Sequence, residues 1–389
     1  MKKRSLFTLF FSIFAAILGL GILSPLLPSL AEDLGATGFW VGMIFSGYAI
    51  SRAIIMPIMG GLSDKYGRKI FIASGLVLLA VISLLYLPAH NEYTLTAVRL
   101  LHGLAAGMVI PVALAYAGNV APEGKEGKTM GIFNMVFYLG LAAGPLFGGI
   151  LWHVFGEASV FYIMSGISAL AFLLVLPFLP EVKNPNASKT EEHVPFKTII
   201  KHDAAKIIIL ITLITAFRTA VLMSFLPSLA SGFNINAAQV GIIIFVGIFF
   251  TAILQPYFGT VADKLSKYKM LLQIIIGSFI GTIVLFMVPL CNDLITLLLV
   301  NVIIGIGAAI SMPVTTDIAV LIGKKVGIGY WMGIFSTTIS VGIIIAPLMS
   351  GVVLDYSGIN SVFYFAGIVS LLFTFTGCYY VWKWSKVNK

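Results

Sequence analysis

Three arginines lie inside long apolar stretches of the sequence, where a charged side chain is costly. The stretches around Arg52, Arg99 and Arg218 consist mostly of apolar residues and glycine. If they cross a bilayer, a central charge costs at least about 2.5–3.5 kcal/mol, so it normally faces the protein interior and has a partner. No Asp or Glu lies deep in these stretches. We therefore expect Arg218, with Arg52, to bind an anionic group of a substrate, with Tyr48 and Arg99 beside them.

Two of these arginines have a structural alternative. Arg52 follows Tyr48 by one helical turn and lies about 13 Å from the inner end of its stretch, so its side chain can instead extend to the aqueous face. Arg218 lies about 18 Å along its own stretch, near the midplane, where the guanidinium can instead donate to backbone carbonyls. The sequence leaves both alternatives open.

A histidine next to one arginine is a candidate proton carrier. His102 follows Arg99 by three residues, which places both on one face of a helix. Imidazole is the side chain whose charge normally changes near neutral pH. His102, Arg99 and the mouth residue Asp33 are therefore the candidates for proton coupling. The alternative for His102 is a buried, neutral imidazole bonded to the first apolar stretch.

A short charged loop between two apolar stretches combines glycines with acidic and basic residues. Its glycines permit a sharp turn, its acid can meet a helix N-terminus or a cation, and its bases face acidic groups or lipid phosphates. A second copy, 199 residues later, keeps an acid at Asp263 and a base at Lys267, but Ser266 replaces the second glycine, so we expect a weaker version there. The residues of the first copy, which we expect to form a cytoplasmic gate, are Gly60, Asp64, Gly67, Arg68 and Lys69.

Glycines spaced four residues apart mark one face of another apolar stretch. Gly140, Gly144 and Gly148 share a helix face and permit close approach of a second backbone. Pro145 removes one hydrogen bond from the helix and permits a kink, and Gly149 adds another small residue. By themselves, these residues predict a tight helix–helix contact.

Membrane-spanning helices must position all of these residues. The chain of 389 residues is 59% hydrophobic and 10% charged, against about 45–50% apolar and 25% charged residues in soluble domains, which excludes a water-soluble enzyme. Twelve apolar stretches reach the roughly 20 residues that a spanning helix needs. With both termini in the cytoplasm, the 21 of 24 basic residues outside the spans all lie on that side, as the positive-inside rule requires. The net charge of +9 thus reports topology and not nucleic-acid binding.

The twelve spans form two similar sets of six. Residues 27–31 recur at 226–230, which is 199 residues later. Residues 103–111 are similar to residues 305–313, which is 202 residues later. Matches at nearly one offset in different spans indicate duplication. We predict an all-α integral membrane protein with 12 transmembrane helices in two pseudo-symmetric six-helix bundles, at residues 1–180 and 206–389, joined by a cytoplasmic linker at 181–205.

These motifs resemble those of the major facilitator superfamily. The loop at 60–69 has every key position of that family's signature loop, and residues 140–149 resemble the motif of its proton-linked exporters. Arg99 and Gly103 are similar to a further family motif. The resemblance covers the whole chain and implies two halves that move around a site between them, a loop that latches the cytoplasmic side, and export. Such exporters often carry a membrane carboxylate, and the first span here has none, which argues against simple carboxylate-based proton exchange.

On these grounds we expect a secondary active transporter that exports a small organic molecule by proton-coupled alternating access, the substrate being a drug or metabolite, including an anionic or zwitterionic one. The alternative is an organic-anion exchanger or uptake symporter that uses the intramembrane arginines. Lipid export and a non-transporting receptor are more distant alternatives. We expect no enzymatic activity, cofactor, metal or nucleic-acid partner. The expected partners are substrate, protons and lipid, for a multi-pass monomer in the cytoplasmic (inner) membrane with both termini in the cytoplasm.

Overall fold

Long α-helices make up almost all of the structure, and no strand is found in the residues described. The computed structural model describes residues 3–23, 26–27, 30, 34, 38–182, 199–200, 202–233, 235 and 237–387. A short 3-10 turn, Val288–Leu290, follows the ninth helix. The helices are α1 (Lys3–Leu23), α2 (Gly38–Tyr66), α3 (Arg68–Leu85), α4 (Glu92–Val120), α5 (Glu126–Phe155), α6 (Glu157–Phe178), α7 (Asp203–Ser231), α8 (Ala237–Ala262), α9 (Lys267–Met287), α10 (Leu294–Val326), α11 (Ile328–Ser357) and α12 (Ile359–Val387).

These helices have the length and composition of membrane spans. Within the described residues, eleven of them are long and apolar enough to cross a bilayer, all but α2. The helix α2 has 29 residues, which at about 1.5 Å per residue exceeds the hydrocarbon core of roughly 30 Å. The predicted all-α architecture of twelve helices is confirmed.

The chain divides into two compact units, each of which takes a short segment from the other half of the sequence. The beginning of α5 belongs to unit 2, and the beginning of α11 belongs to unit 1. Most of the predicted linker lies outside the described residues, between Val182 and the start of α7. Unit 1 comprises Met1–Val120, Val136–His193 and Gly323–Thr337, and unit 2 comprises Ala121–Met135, Val194–Ile322 and Thr338–Lys389.

In unit 1, α2 and α4 lie in close contact because a glycine removes the side chain between them. A Cβ atom on Gly103 would overlap Ser51 Oγ and the carbonyl oxygen of Tyr48, so glycine permits the approach of the two backbones. The helix α3 packs on both α4 and α6, and α1 packs on α6. This arrangement brings Tyr48 of α2 next to Arg99 and His102 of α4.

In unit 2, α7 packs on α12 and α9, and α9 also packs on α12. Side chains with almost no exposed surface, including Val221, Leu285 and Phe363, fill the space between them. Arg218 of α7 lies within this group of helices and is itself buried.

Candidate functional site

The Asp64 carboxylate caps the first turn of α11 within unit 1. Its oxygens accept hydrogen bonds from the N–H of Gly329 at 2.8 and 3.0 Å and from the N–H of Tyr330 at 3.1 Å. The first four N–H groups of a helix have no acceptor inside the helix, and negative charge is favoured at this end. A Cβ atom on Gly60 would overlap the carbonyl group of Gly329. Glycine at position 60 therefore permits the approach that the cap requires.

Arg68 joins this cap as the cation of a buried ion pair. Its Nη2 lies 3.1 Å from Asp64 Oδ1, and its Nη1 donates to the carbonyl oxygen of Ala115 at 2.7 Å. The side chain of Arg68 is 0% exposed. Asp64 thus meets both partners considered from the sequence, a helix N-terminus and a cation. Arg68 is inaccessible to lipid phosphates, and Lys69 donates its Nζ to the carbonyl oxygen of Leu176 at 2.6 Å.

The second copy of the loop repeats the cap, in unit 2, without the ion pair. Asp263 accepts hydrogen bonds from the N–H of Gly127 at 2.7 Å and of Lys128 at 3.0 Å, at the start of α5. Burial raises the pKa of the Asp263 carboxyl above its ordinary value, although these two backbone donors act in the opposite direction. Lys267 is exposed and, in the part of the chain that is described, forms no ion pair with Asp263. The weaker second gate therefore stays a prediction, with a missing buried cation as its physical basis.

The glycine face of α5 packs directly on α1 in unit 1. A Cβ atom on Gly144 would overlap the backbone of Gly21, and one on Gly148 would lie 2.8 Å from the carbonyl oxygen of Ile22. No heavy atom lies within 4 Å of a Cβ atom built on Gly149. Of the five motif residues, Gly140, Gly144 and Gly148 face α1, whereas Pro145 and Gly149 are exposed.

Arg52 and Arg99 converge on the ring of Tyr48 in unit 1. Their guanidinium carbons lie 5.6 and 4.8 Å from the ring centroid, within the range of cation–π interactions. Arg52 Nη1 also donates to Tyr48 Oη at 3.4 Å, and Arg99 Nε donates to the carbonyl oxygen of Ile44 at 3.0 Å. All three side chains are buried, so Arg52 does not extend to the aqueous face. Arg52 Nε and Arg99 Nη1 have no acceptor among the described residues, which leaves two buried donors for an anion.

His102 lies beside this cluster, and its partner is Tyr86, the residue that follows α3. Tyr86 Oη is 3.0 Å from His102 Nδ1, and the imidazole meets the ring of Tyr48 edge-on at a centroid distance of 5.4 Å. The alternative from the sequence placed this partner on the first span, whereas the hydrogen bond that is described runs to Tyr86. A positive charge on His102 would be repelled by the guanidinium of Arg99 across the Tyr48 ring. The geometry therefore suits a neutral imidazole.

A cavity of about 350 Å³ opens beside Tyr86, at the end of α3 away from the Asp64 loop. The rings of Tyr86 and Phe161 stack at 5.3 Å in its wall, and Glu157 and His90 add polar groups to an otherwise apolar lining. A space of this size holds about ten water molecules or a small ligand. Tyr86, which bonds to His102, thus lines a space that can hold water.

Arg218 lies in a cage of hydroxyl groups in unit 2. Its Nη1 donates to the Ser278 carbonyl oxygen at 2.8 Å, to Ser278 Oγ at 3.2 Å and to Thr282 Oγ1 at 3.1 Å, and its Nη2 donates to Thr215 Oγ1 at 3.1 Å. Among the described residues no carboxylate forms an ion pair with it. The backbone-carbonyl alternative is thus realised. The spacing of Ser278 and Thr282, one helical turn apart, is a signal in the sequence from which the hydroxyl partners could have been predicted.

A buried carboxylate, Asp317, lies inside α10. Its side chain is 3% exposed, and α10 continues past it to Val326. The apolar residues 318–323 carry the helix past the acid, so an acidic side chain does lie inside a candidate span. Asp33, the remaining predicted proton-coupling residue, lies outside the described residues.

The chain resembles membrane transporters over nearly its whole length. A sequence profile of the Major Facilitator Superfamily matches residues 9–217 and 208–387, which correspond to the two halves. An uncharacterised MFS-type transporter of Methanocaldococcus jannaschii is 30% identical over 378 residues, which cover 95% of this chain and 96% of that protein. The quinolone resistance protein NorA of Staphylococcus aureus (strain COL) is 30% identical over 358 residues, which cover 91% of this chain and 90% of NorA.

A solved structure extends the similarity to the fold. The human organic anion transporter MFSD10 (TETRAN) superposes with a TM-score of 0.78 and 17% sequence identity, over 96% of this chain and 99% of that one. At this identity the likeness concerns the fold alone. Together with the profile match to both halves, it confirms the predicted twelve-helix fold of two six-helix bundles.

Proposed function

This chain belongs to the Major Facilitator Superfamily, and we propose that it exports a small organic acid or zwitterion by proton-coupled alternating access. The cap–loop pairs then act as the gates, and the arginine–tyrosine cluster of unit 1 receives the acidic group of the substrate. Export is the direction associated with the glycine-rich motif of α5 and with the relative that is named for quinolone resistance.

The two helix caps are the observation that carries this proposal. Asp64 on Gly329 and Asp263 on Gly127 are corresponding contacts of the repeat, each made of a carboxylate and backbone N–H groups. An N-terminal cap contributes about 0.5–2 kcal/mol, and a difference of a few kcal/mol sets the populations of two conformations. Such contacts can break and re-form without unfolding a helix. They therefore suit a gate that must open once in every transport cycle.

The cluster around Tyr48 supports an acidic substrate. Two guanidinium groups share one buried ring and keep two donors without an acceptor, Arg52 Nε and Arg99 Nη1, in the described structure. Arginine binds carboxylates well because its planar donors match their geometry. Arg218 is proposed only as a second anion contact, because its Nη1 and Nη2 atoms already donate to hydroxyl and carbonyl oxygens. A quinolone-type aromatic acid is the substrate class to test first.

Two residues are proposed as sites of proton coupling. Asp317 is the stronger candidate, because a buried carboxylate can exchange its proton as the surroundings of α10 change. His102 is the second, through its bond with Tyr86 beside the cavity. Arg99 links the two steps, because an anion bound to its guanidinium offsets the positive charge that would otherwise repel a protonated His102. Coupling through Asp317 predicts that Asp317→Asn loses the response of transport to a pH gradient. Coupling through His102 predicts that His102→Gln loses it instead.

Uptake into inside-out proteoliposomes tests the substrate and its coupling together. We would measure a radiolabelled quinolone carboxylic acid, its methyl ester and a lipophilic cation of similar size, with and without an imposed pH gradient. The acid should accumulate when the gradient is present, and Arg52→Ala and Arg99→Ala should reduce its transport at least tenfold. Arg4→Ala is the matched control, because Arg4 is exposed on α1. Equal transport of acid and ester, or full activity of both arginine variants, would refute the assignment of the cluster.

Organic-anion exchange is the second candidate function, and the same unfilled donors favour it. MFSD10, which has the same fold, is an organic anion transporter. An exchanger would show trans-stimulation, that is, faster uptake of labelled anion when unlabelled anion is inside, with no effect of a pH gradient. Binding without flux in either assay would instead indicate a receptor, and flux only of labelled phospholipid would indicate lipid export.

A further inference from the structure

The segment that follows α6 folds back onto the loop that carries Asp64. Tyr116 Oη donates to the carbonyl oxygen of Pro180 at 2.9 Å, and Lys69 Nζ donates to the carbonyl oxygen of Leu176 at 2.6 Å. The first contact attaches the segment after α6 to α4, and the second attaches the last turn of α6 to the start of α3. The next residue, Glu181, lies directly against the loop.

The carboxylate of Glu181 caps α3 from 113 positions away along the chain. Its Oε1 accepts hydrogen bonds from the N–H of Arg68 at 2.6 Å and of Lys69 at 3.2 Å, and also from the N–H of Val182 at 3.0 Å. The residue at the N-cap position of α3, Gly67, has no side chain to do this. Two of the four free amides of this helix start are therefore satisfied by a distant residue.

Gly67 is required by this arrangement for two reasons. Its φ of 98° lies in the left-handed region, which other residues adopt at a cost. In addition, a Cβ atom on Gly67 would lie 2.6 Å from the Glu181 carboxyl carbon. The sequence suggested only a sharp turn here. In the structure, the turn also makes room for the carboxylate.

A continuous series of contacts leads from Glu181 to α11. The Glu181 carboxylate holds the backbone of Arg68, the Arg68 guanidinium bonds to Asp64, and Asp64 caps α11 at Gly329. We propose that Glu181 is a positioning residue of the gate, which couples the cytoplasmic linker to the α11 cap through Arg68. Its effect on transport rests on the proposed gating function, whereas its effect on the cap does not.

The second copy of the loop provides an internal comparison. Ser266, at the N-cap of α9, has a φ of −67° and no side-chain cap, and no guanidinium in the described part of the chain pairs with Asp263. Among the described residues, the contact of the linker with a gate is the one that Glu181 makes at the first gate. A change at Glu181 should therefore alter the Asp64 cap and leave the Asp263 cap as it was.

Hydrogen–deuterium exchange of the protein in lipid nanodiscs tests this directly. In Glu181→Gln and Glu181→Ala, exchange should rise about tenfold at residues 68–69, as expected for loss of a helix cap, and severalfold at residues 329–330. Exchange at residues 127–128, beneath the Asp263 cap, should stay at the wild-type rate. Glu123→Gln is the matched control, because Glu123 is an exposed acid on another loop.

The pattern of exchange separates the proposal from its rivals. A rise at 68–69 alone would mean that Glu181 is a local cap, and a uniform rise at all sites would mean general destabilisation; either result overturns the proposal. Gly67→Ala, which crowds the carboxylate without removing it, should reproduce the rise at 329–330. Should these exchange results hold while transport of every tested substrate is absent in wild type, the proposed function fails and the positioning role stands.

Discussion

Replacing Asp64 with Asn tests the α11 cap with almost no change in side-chain volume. The amide keeps one acceptor oxygen but brings an N–H₂ group towards the N–H of Gly329 or the guanidinium of Arg68, which are both donors. Arg68 then remains 0% exposed without its counter-ion. Removal of one partner of a buried ion pair costs about 3–5 kcal/mol. We therefore expect Asp64→Asn to lose several kcal/mol of stability.

The matched variant is Asp263→Asn in the second copy of the loop. It perturbs two comparable backbone hydrogen bonds but leaves no buried cation behind, because Lys267 is exposed. Its expected cost is that of a cap alone, about 0.5–2 kcal/mol. The difference between the two variants should thus be about 2–3 kcal/mol. At roughly 2–4 °C per kcal/mol for units of this size, this corresponds to a Tm about 5–10 °C lower for Asp64→Asn.

Thermal unfolding of the purified variants in one detergent measures this difference. The double variant Asp64→Asn/Arg68→Met removes the stranded cation and should recover part of the loss, because a buried pair replaced on both sides costs less than a broken one. Equal destabilisation by Asp64→Asn and Asp263→Asn, or no recovery in the double variant, would refute the argument that the buried cation distinguishes the two gates.

Three other predictions follow from the geometry. Gly144→Ala should cost about 1–3 kcal/mol through overlap with Gly21 and lower the Tm. Gly166→Ala is the control and should leave the Tm unchanged, because nothing lies within 4 Å of its added Cβ. Equal Tm values for the two variants would contradict the α1–α5 contact. Tyr86→Phe keeps the stack on Phe161 but removes the bond to His102 and should cost about 1 kcal/mol, against no loss for Tyr93→Phe on the surface, as measured by denaturant or thermal unfolding. The pKa of Asp263 is raised in the folded protein. Between the unfolded and the folded pKa, the folded protein therefore keeps a proton that the unfolded chain has released. The contribution of Asp263 to stability falls as the pH rises through this range. The Tm advantage of wild type over Asp263→Asn should therefore shrink over that acidic range, and an advantage that grows with pH would show the opposite shift.

Much of the fold could be predicted because its signals are local in the sequence. A run of apolar residues of the right length predicts a spanning helix. The recurrence of residues at a nearly constant distance along the chain indicates the duplication. Asp64 was selected for the same reason, since its loop is a short contiguous motif. The recurrence of the acid, as Asp64 and Asp263, also indicated that both copies of the loop could cap a helix. It did not indicate that Gly329 and Gly127 would donate to these carboxylates.

The candidate site was harder to predict, because in this protein the helices are apolar on every side. A soluble helix shows its buried face by its polar residues, but a membrane helix gives no such sign of which side meets protein. Hence the sequence could not decide whether Arg52 was buried, which helix would bond His102, or that hydroxyl groups would surround Arg218. Each answer depends on the rotation of a helix against its neighbours.

The sequence alone determined that this chain crosses a membrane many times, that it is built as a duplication and which residues are unusual for that setting. The tertiary structure decided what those residues contact. Asp64 meets Gly329 at a separation of 265 residues and Glu181 meets Arg68 at a separation of 113. Such pairings arise because segments far apart in the sequence pack together. The order of residues along one helix does not show which other helix it will contact. The physical role of a charged residue in this protein therefore depends on its partner, and helix packing determines which partner it meets.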